Sequence, residues 1–473
     1  MTRPRALLSL AVSAFAVGMS ALALLQQRAF ETGRFDLGNL TQAVWSTAHG
    51  RFLEVTDLQG RQISRLGSHF DPLVALLAPL WWLWPSPDLL LVAQAVAVAL
   101  GAVPVFLLTR KHLGGDWAGL GFALVYLLYP PTQWLVVDDF HPVALATPLL
   151  LGAIWYLDED RLLPFALCAG AACLTKEQIG LVVAVLGIWH AVAHGRRRAG
   201  LVILIAGTLV AVVATAIVVP HYAPGGGSPF AGRYDAVGGS PAGIVKTGIV
   251  HPLRLVQAAT EHRDLTYLRD LLAPLGGLPL LAPLVAASAL PELALNVLSS
   301  TRTQSSIHFH YTAGAIPGLM AGAVLGAARV RRRWPRSWPV LGRATVVLAL
   351  AAGVLLGPLP AWRHVPFGST LATRDHLVSA HDRAAARVLA AVPAGVPVSA
   401  TNTLGAHLSE RRRVFSFPVL AEARWVAVDL KRPSYLDDAL GRKFASAYAR
   451  LRRDSRWQVV RAEDGVVVLR RVG

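Results

Sequence analysis

Carboxyl groups and imidazoles occur close together in several polar segments that lie beside long apolar runs. A carboxylate can take a proton from a hydroxyl group or bind a divalent cation, and an imidazole can do either near neutral pH. Asp36 is the candidate general base, although an aspartate here also suits the N-cap of the amphipathic stretch that follows. The acidic and imidazole candidates are Asp36, His69, Asp71, Asp138, Asp139 and His141.

The later members of this set suit different chemistry. His69 lies two residues before Asp71, and both side chains would orient a ligand or an ion, while an aspartate before a proline is also typical of a helix cap. Asp138, Asp139 and His141 occupy a segment that is typical of a tight turn. Two carboxylates with an imidazole are candidate ligands of a divalent metal ion, and a turn cap is the alternative.

Cationic and aromatic side chains in three further segments are candidates for binding substrate. Lys176 can meet a phosphate group as a point charge, with neutralisation by the adjacent Glu177 as the alternative. Arg233, beside Tyr234, suits phosphate recognition through its planar guanidinium group. The last segment alternates its histidines, so an extended backbone would point both to one side. Its candidates are His308, His310 and Tyr311.

The elements that must position these residues are apolar and long. The chain has 473 residues, of which 54% are hydrophobic and 15% are charged, against about 25% charged residues in an average soluble domain. Several runs reach the roughly 18 apolar residues that cross a bilayer as a helix. A soluble fold would have to bury all of them in one core. The clearest runs are 6–25, 88–109, 116–135, 200–220 and 338–357.

The net charge of +17 comes almost entirely from arginine, and the basic residues cluster at the ends of apolar runs. Such clusters mark the cytoplasmic side of membrane proteins and favour anionic lipid headgroups. This placement argues against a nucleic-acid partner. The clusters are Arg3 with Arg5, Arg110 with Lys111, Arg196 to Arg198, and Arg331 to Arg333 with Arg336.

Placing all the basic clusters inside the cell predicts an α-helical polytopic protein with about eleven spans, a cytoplasmic N-terminus and an extracytoplasmic C-terminus. Residues 26–87 and 221–270 then form two large external loops. The segment 70–84 is too short for a span and ends in tryptophans, so we expect it to lie at the membrane interface. Under this topology the candidate polar residues all lie on the external side.

The composition changes near residue 361. Residues 1–360 are predicted to form the membrane domain, and residues 361–473 a small extracytoplasmic α/β domain. In this tail a helix at 375–391 and another near 437–453 alternate with short apolar segments. The strand-like segments are 396–400, 413–417, 425–429, 457–461 and 465–470.

Short motifs along the chain occur in a combination that is more specific than any one of them. They are Phe35-Asp36-Leu37-Gly38, Gln42-Ala43-Val44-Trp45, His49-Gly50, Gly67-Ser68-His69-Phe70-Asp71-Pro72, Lys176-Glu177, Arg233-Tyr234, Gly238-Gly239-Ser240-Pro241, Ile307-His308-Phe309-His310-Tyr311, Pro317 and Val398-Ser399-Ala400-Thr401-Asn402. In this combination the chain resembles an uncharacterised family of prokaryotic polytopic membrane proteins, known as a domain of unknown function. That family is distantly similar to the GT-C glycosyltransferases.

The resemblance implies a multi-span core and a large first external loop that carries an acidic catalytic residue and membrane-parallel helices. It also implies a sugar donor linked to polyprenyl phosphate. Asp36 falls where the GT-C acid lies, but Leu37 follows it where GT-C enzymes commonly have a second acid. The expected partners are membrane lipids and a polyprenyl-phosphate-linked sugar, and the only expected cofactor is a divalent metal ion.

Three functions are compatible with the sequence. The first is transfer of a sugar from a polyprenyl-phosphate donor to an extracytoplasmic acceptor, with Asp36 as catalytic base. The second is a membrane transporter or lipid flippase that uses the same polar rim. The third is a non-catalytic scaffold on a GT-C-like core.

Overall fold

The structure of this chain is a computed structural model that describes residues 2–226, 230–359, 364 and 377–472. The expected boundary between the membrane domain and the tail, at 360/361, lies outside the described residues. The membrane part is almost entirely helical, and a small sheet domain follows it. This agrees with the predicted class of a helical membrane protein with a C-terminal α/β domain.

Helices account for nearly all of the regular structure before residue 360, apart from one short hairpin. Their bounds are α1 Arg3–Arg28, α2 Asn39–Ala48, α3 Ala78–Trp81, α4 Asp88–Leu100, α5 Ala102–Thr109, α6 Asp116–Leu128, α7 Pro130–Val137, α8 Ala146–Asp158, α9 Leu162–Cys173, α10 Ile179–Ala193, α11 Arg197–Val213, α12 Val219–Tyr222, α13 Pro241–Val250, α14 Pro252–Ala259, α15 His262–Leu272, α16 Pro283–Ala286, α17 Leu290–Val297, α18 Ile316–Arg333 and α19 Trp338–Leu356.

Four helical segments in the described part are long and apolar enough to cross a membrane, namely Arg3–Arg28, Asp88–Gly114, Arg197–Tyr222 and Trp338–Leu356. A fifth is added if α6 and α7, which meet at a 49° bend before Pro130 and Pro131, form one span. Proline at the start of α7 removes backbone donors and explains the break. Shorter apolar helices occupy most of the other predicted spans. The predicted count of about eleven spans stays a prediction.

The predicted basic clusters come together at one end of the helical bundle. Arg5 and Arg110 both pair with Asp116, at 2.9 and 3.7 Å. Lys111 pairs with Asp158 at 2.8 Å, and Arg196 pairs with Asp160 at the same end. α1 has 26 residues and so runs about 39 Å away from this end. The segment that carries Asp36 follows α1 and therefore lies at the opposite end.

Helices α10 and α11 pack through two glycine pairs spaced seven residues apart. A Cβ on Gly187 would lie 2.5 Å from the carbonyl oxygen of Gly200, and a Cβ on Gly180 would lie 2.4 Å from that of Gly207. The reciprocal distances at Gly200 and Gly207 are also 2.5 Å. Small residues let the two backbones touch, which is the main source of association between helices in lipid.

The long loop between α1 and α4 contains regular structure that the sequence did not predict. Strands β1 Glu54–Thr56 and β2 Gln62–Ser64 form an antiparallel hairpin, closed by Asp57, whose carboxylate accepts two backbone N–H groups and the Arg61 guanidinium. The apolar segment expected at the interface is a 3₁₀ helix, Pro72–Leu77, followed by α3. Trp82 and Leu83 beside α3 are exposed, as an interfacial position requires.

The tail forms a five-stranded sheet in the order β4-β3-β5-β7-β6. Its elements are α20 Ala380–Leu389, β3 Val398–Ala400, α21 Asn402–Ala406, β4 Val414–Ser416, β5 Trp425–Asp429, α22 Tyr435–Asp438, α23 Arg442–Arg453, β6 Trp457–Glu463 and β7 Val466–Arg471. β3, β4 and β5 are parallel, whereas β7 runs antiparallel to β5 and β6. The five segments that were predicted to be strands correspond to β3, β4, β5, β6 and β7. Helix α20 lies within the predicted helix 375–391, of which residues 375 and 376 are outside the described part.

We predict that Gly187→Leu separates α10 from α11. The added side chain meets backbone atoms rather than flexible side chains, so the cost is about 3 kcal/mol or more. Gly170→Leu in α9 is the matched control, because a Cβ at Gly170 has no heavy atom within 4 Å. Thermal unfolding of the detergent-solubilised proteins should show a large loss for Gly187→Leu alone. Equal midpoints for the two variants would contradict this packing.

Candidate functional site

A cavity of about 580 Å³ lies between the loop that joins α1 to α4 and the ends of the apolar helices, at the end opposite the basic clusters. It collects side chains from five separate parts of the sequence. The predicted site residues that line it are Asp36, His69, Asp71, His141, Lys176, Arg233, His310 and Tyr311. Tyr234, Glu177, Asp138, Asp139 and His308 do not line it, and their positions are described below.

Asp36 lies in a single wide helical turn, Arg34–Gly38, between α1 and α2. About a third of its side chain, 34%, is accessible from the cavity. Its Oδ1 atom is 3.3 Å from Nε2 of His141, and Nδ1 of His141 is 2.7 Å from the backbone oxygen of Asp138. The Asp138 carbonyl can only accept a hydrogen bond, so Nδ1 of His141 carries a proton. One further proton then lies between Nε2 of His141 and the Asp36 carboxylate.

The local charges decide where that proton lies. Burial opposes ionisation of Asp36, but the hydrogen bond and charge of His141, with the charges of Arg65 and His69, lower the pKa of Asp36 below its ordinary value. Burial also opposes the charged form of His141, yet Asp36 and Asp138 raise the pKa of this imidazole. These shifts favour a carboxylate at Asp36 paired with a protonated His141.

His310 extends this contact into a stacked pair. The rings of His141 and His310 lie 3.5 Å apart at 17°, and both the backbone N–H and Nδ1 of His310 contact Oδ2 of Asp138, at 2.7 and 3.0 Å. Burial lowers the pKa of His310 well below its ordinary value, and burial raises the pKa of Asp138 to about 6. A neutral imidazole thus covers the face of the His141 cation.

Asp138, His141 and His310 form the group whose ligand atoms lie closest together, all within 4.8 Å of one another in the described part of the chain. One carboxylate and two imidazoles suit a borderline ion such as Zn²⁺. Asp139, which the sequence placed in the metal set, instead accepts the backbone N–H of Gly33 at 3.1 Å. The donor set fits an ion once His141 gives up the proton that it shares with Asp36.

His69 is held by Glu177, so the two motifs that carry them form one wall. Nδ1 of His69 is 3.0 Å from a carboxylate oxygen of Glu177, and the backbone N–H of Phe70 donates to the other at 3.1 Å. Burial opposes ionisation of Glu177, but His69 and Lys176 lower the pKa of Glu177 to about 2. The carboxylate faces His69 rather than the cavity.

Asp71 is buried and paired, which the sequence did not indicate. The Nε and Nη2 atoms of Arg65 reach Oδ2 of Asp71 at 3.0 and 2.9 Å, and Nη1 donates to Asn39 at 2.8 Å. Asp71 is 1% exposed. This ion pair ties the 3₁₀ helix at Pro72 to the start of α2.

Two cations, Lys176 and Arg233, line the cavity. Nζ of Lys176 lies 5.2 Å from the centre of the Tyr311 ring. The guanidinium of Arg233 lies 4.5 Å from the Phe230 ring and donates to the Tyr311 hydroxyl at 3.4 Å. Among the described residues neither cation forms a salt bridge, although Lys176 is 9% exposed. A charge this buried is costly unless a ligand neutralises it.

The other predicted residues of these segments point elsewhere. The Tyr234 hydroxyl accepts a hydrogen bond from Gln304 at 3.4 Å. His308 contacts the Ser306 hydroxyl at 2.9 Å and meets Trp134 edge to face. We expected both histidines of this segment to face one side, but among the described residues His310 lines the cavity and His308 does not.

Three residues that support the site were not singled out from the sequence. Gln94 of α4 accepts the His141 backbone N–H at 2.9 Å and donates to the Asp139 carbonyl at 2.6 Å, which fixes the turn. Arg65 pairs with Asp71, and Asn402 of the tail accepts the Phe35 backbone N–H at 3.1 Å. A polar residue inside an apolar helix could have drawn attention to Gln94. Only Val398–Asn402 within the family motifs pointed to the tail.

The fold and cavity define a helical membrane protein with a small C-terminal sheet domain. The chain belongs to the family described as "Predicted membrane protein (DUF2079)", whose model matches residues 27–468. No curated protein matches the chain. The predicted membership of a domain-of-unknown-function family that resembles GT-C proteins is confirmed.

Two solved structures have a similar fold over nearly the whole length. The crystal structure of ArnT from Cupriavidus metallidurans bound to undecaprenyl phosphate has a TM-score of 0.52 and 15% identity, and the alignment covers 98% of this chain and 97% of that chain. The apo state of the same protein has a TM-score of 0.53 and 14% identity, with 97% and 98% covered. At these identities the likeness is one of fold.

We predict that Asp71→Asn destabilises the protein because it leaves Arg65 as a poorly paired, mostly buried charge. Breaking a buried ion pair at one partner costs about 3–5 kcal/mol. Arg412→Ala is the control, since its pair with Glu54 at 3.3 Å leaves the arginine 55% exposed and contributes at most about 1 kcal/mol. Thermal unfolding in detergent measures both. A shift as small as that of the control would show that the Arg65 pair is dispensable.

Proposed function

We propose that this protein is a membrane glycosyltransferase that moves a sugar from a polyprenyl-phosphate donor to an extracytoplasmic acceptor. The observation that carries the proposal is the charge distribution of the cavity at the loop end. An accessible carboxylate, Asp36, faces the same space as two cations, Lys176 and Arg233, that form no salt bridge among the described residues.

The other cations of the cavity are already neutralised or committed. Arg61 pairs with Asp57 at 2.7 Å, Arg65 pairs with Asp71, and Arg34 donates to backbone carbonyls. The positive charge available to a ligand is thus confined to Lys176 and Arg233. This is where the phosphate of a polyprenyl carrier would bind, with Tyr311 between the two cations.

The reaction follows from this separation of charge. The acceptor hydroxyl attacks the anomeric carbon of the donor sugar, and the bond from that carbon to the phosphate oxygen breaks. The proton of the hydroxyl passes to Asp36, and the electron pair leaves with the polyprenyl phosphate. Lys176 and Arg233 stabilise the negative charge that develops on the leaving phosphate. Attack opposite the leaving group inverts the anomeric configuration.

The remaining residues position these groups. His141 holds the Asp36 carboxylate through one oxygen and leaves the other free to accept the proton. His69, fixed by Glu177 and stacked on Phe230 at 4.6 Å, borders the space in which the sugar would lie. A divalent ion would be held by Asp138, His141 and His310, and it would supply positive charge next to Asp36 and the acceptor hydroxyl.

The basic clusters at the far end of the bundle support an external location for the cavity, with the N-terminus in the cytoplasm and the C-terminal domain outside. The tail borders the Asp36 side of the cavity. Asn402 of the tail accepts the backbone N–H of Phe35, the residue before Asp36, at 3.1 Å. The tail would therefore contribute to the choice of acceptor.

Asp36→Asn and Asp36→Ala should abolish transfer while the protein level stays normal. Loss of a general base costs about 10²–10⁴-fold in rate. The matched control is Asp57→Asn, which lines the same cavity but caps the β1–β2 turn, a role that asparagine also fills. Mass spectrometry of envelope glycans and of polyprenyl-phosphate-linked sugars in cells would show lost product and accumulated donor. Unaltered glycans in both Asp36 variants would exclude Asp36 as the base.

Lys176→Met and Arg233→Met should each weaken binding of undecaprenyl phosphate by about tenfold, equivalent to about 1.4 kcal/mol. Methionine keeps much of the side-chain volume and removes the charge. Arg61→Met is the control, because Arg61 lines the cavity but is paired with Asp57. Native mass spectrometry of the solubilised protein measures the bound lipid. Wild-type affinity in both variants would place the phosphate elsewhere and favour the transporter or scaffold alternative.

A further inference from the structure

The backbone that carries Asp36 is held from two sides. On the side of the membrane domain, the N–H of Gly33 donates to Asp139 at 3.1 Å. On the side of the tail, the N–H of Phe35 donates to Oδ1 of Asn402 at 3.1 Å. Phe35 lies in the first turn of the Arg34–Gly38 helix, where a backbone N–H has no partner within the helix. Asn402 therefore caps this turn from almost 370 residues away in sequence.

Arg34 fixes the same turn through its side chain. It is 2% exposed, and its guanidinium donates to the Val414 carbonyl at 3.1 and 2.6 Å, to the Ser416 hydroxyl at 2.6 Å and to the Thr56 carbonyl at 2.8 Å. Burial lowers the pKa of Arg34 to about 10, with Asp57 opposing the shift. One buried cation thus joins the turn, the β1–β2 hairpin and strand β4.

Glycines allow the Arg34–Gly38 turn and the tail to pack closely against each other. A Cβ on Gly33 would lie 2.8 Å from Nδ2 of Asn402, and a Cβ on Gly405 would lie 2.9 Å from Cβ of Arg34. A Cβ on Gly38 would meet the Ser409 hydroxyl at 2.6 Å. The tail and the turn are therefore packed so closely that these glycine positions leave no room for a Cβ atom.

We propose that the C-terminal domain is part of the active site, and that Asn402 and Arg34 are positioning residues that set the direction of the Asp36 carboxylate. The inference rests on the proposed function and adds a role for the tail. Without the Asn402 side chain the Phe35 N–H loses its acceptor, and the turn keeps the backbone tie from Gly33 to Asp139 and the side-chain hydrogen bonds of Arg34. Asp36 would then lose its fixed approach to His141 and to the acceptor, while the cavity end at Lys176 and Arg233 stays intact.

The test uses three variants of the full-length chain. Asn402→Leu removes the acceptor oxygen at similar volume. Asn402→Asp keeps an oxygen that accepts the Phe35 N–H. The side-chain amide of Asn402 donates no hydrogen bond among the described residues, so this variant removes no hydrogen bond there. Arg412→Ala is the control within the same interface, since it breaks the exposed pair with Glu54 and leaves the turn untouched.

Hydrogen–deuterium exchange of the protein in nanodiscs measures how well the amides of the Arg34–Gly38 turn are protected. We expect peptides covering residues 34–38 to exchange about fivefold faster in Asn402→Leu, which is the loss of about 1 kcal/mol of hydrogen bonding. Asn402→Asp and Arg412→Ala should exchange like the wild type, and so should α2 in all three variants. Unchanged exchange in Asn402→Leu would overturn the proposal. If Asn402→Leu fails to fold, Asn402→Ala gives the same readout with less apolar surface.

A transfer assay distinguishes a positioning role of Asn402 from a purely stabilising role. Asn402→Leu should lower envelope glycan transfer at least tenfold while undecaprenyl phosphate binding stays at the wild-type level, and Asn402→Asp should restore transfer. Faster exchange with normal transfer would overturn the positioning role. If instead Asp36→Asn leaves transfer unaltered, the proposed function itself fails, and the exchange data still decide whether the tail fixes this turn.

Discussion

The site depends on the contact between Asp36 and His141. A carboxylate at the end of an apolar helical bundle is stable as an anion only if the protein supplies positive charge nearby. His141 provides it at 3.3 Å, and the Asp138 carbonyl, Gln94 and the stacked ring of His310 fix the imidazole in place. Most polar side chains around the cavity can be understood as support for this ion pair.

The charged side chains divide the cavity into an end with the Asp36–His141 pair and an end with Lys176 and Arg233. Acids and arginines pair with each other along its walls, at Arg61 with Asp57 and Arg65 with Asp71. Lys176 and Arg233 are the exception among the described cations that line the cavity. Both cations contact aromatic rings, and the carboxylates of Glu177 and Glu292 interact with Lys176 without forming a salt bridge to it. An anionic ligand at this end would supply the close negative charge that neither cation has among the described residues.

The sequence predicted the helices, the common end of the basic clusters and the cavity-facing side chains, because these follow from apolar length, charge asymmetry and short motifs. It did not predict the pairing of Asp71 with Arg65 or the replacement of Asp139 by His310 beside Asp138. Such contacts depend on which turns meet in three dimensions. The tie from Asn402 to Phe35 spans the whole chain, and no local pattern encodes it. The β1–β2 hairpin was missed because its strands have only three residues each.

The structure also explains why leucine follows Asp36 where GT-C enzymes commonly have a second acid. Leu37 is 0% exposed and packs in an apolar cluster with Leu40, Val44 and Leu53, which joins the turn to the first loop. An acid at this position would be buried in an apolar cluster, so the packing of Leu37 disfavours a second acid next to Asp36. Asp138 and Asp139 bring the additional carboxylates from a different loop, on either side of the Asp36–His141 pair. The negative charge of the site is therefore assembled across loops rather than within one motif, and its geometry depends on how the loops and the tail are held together.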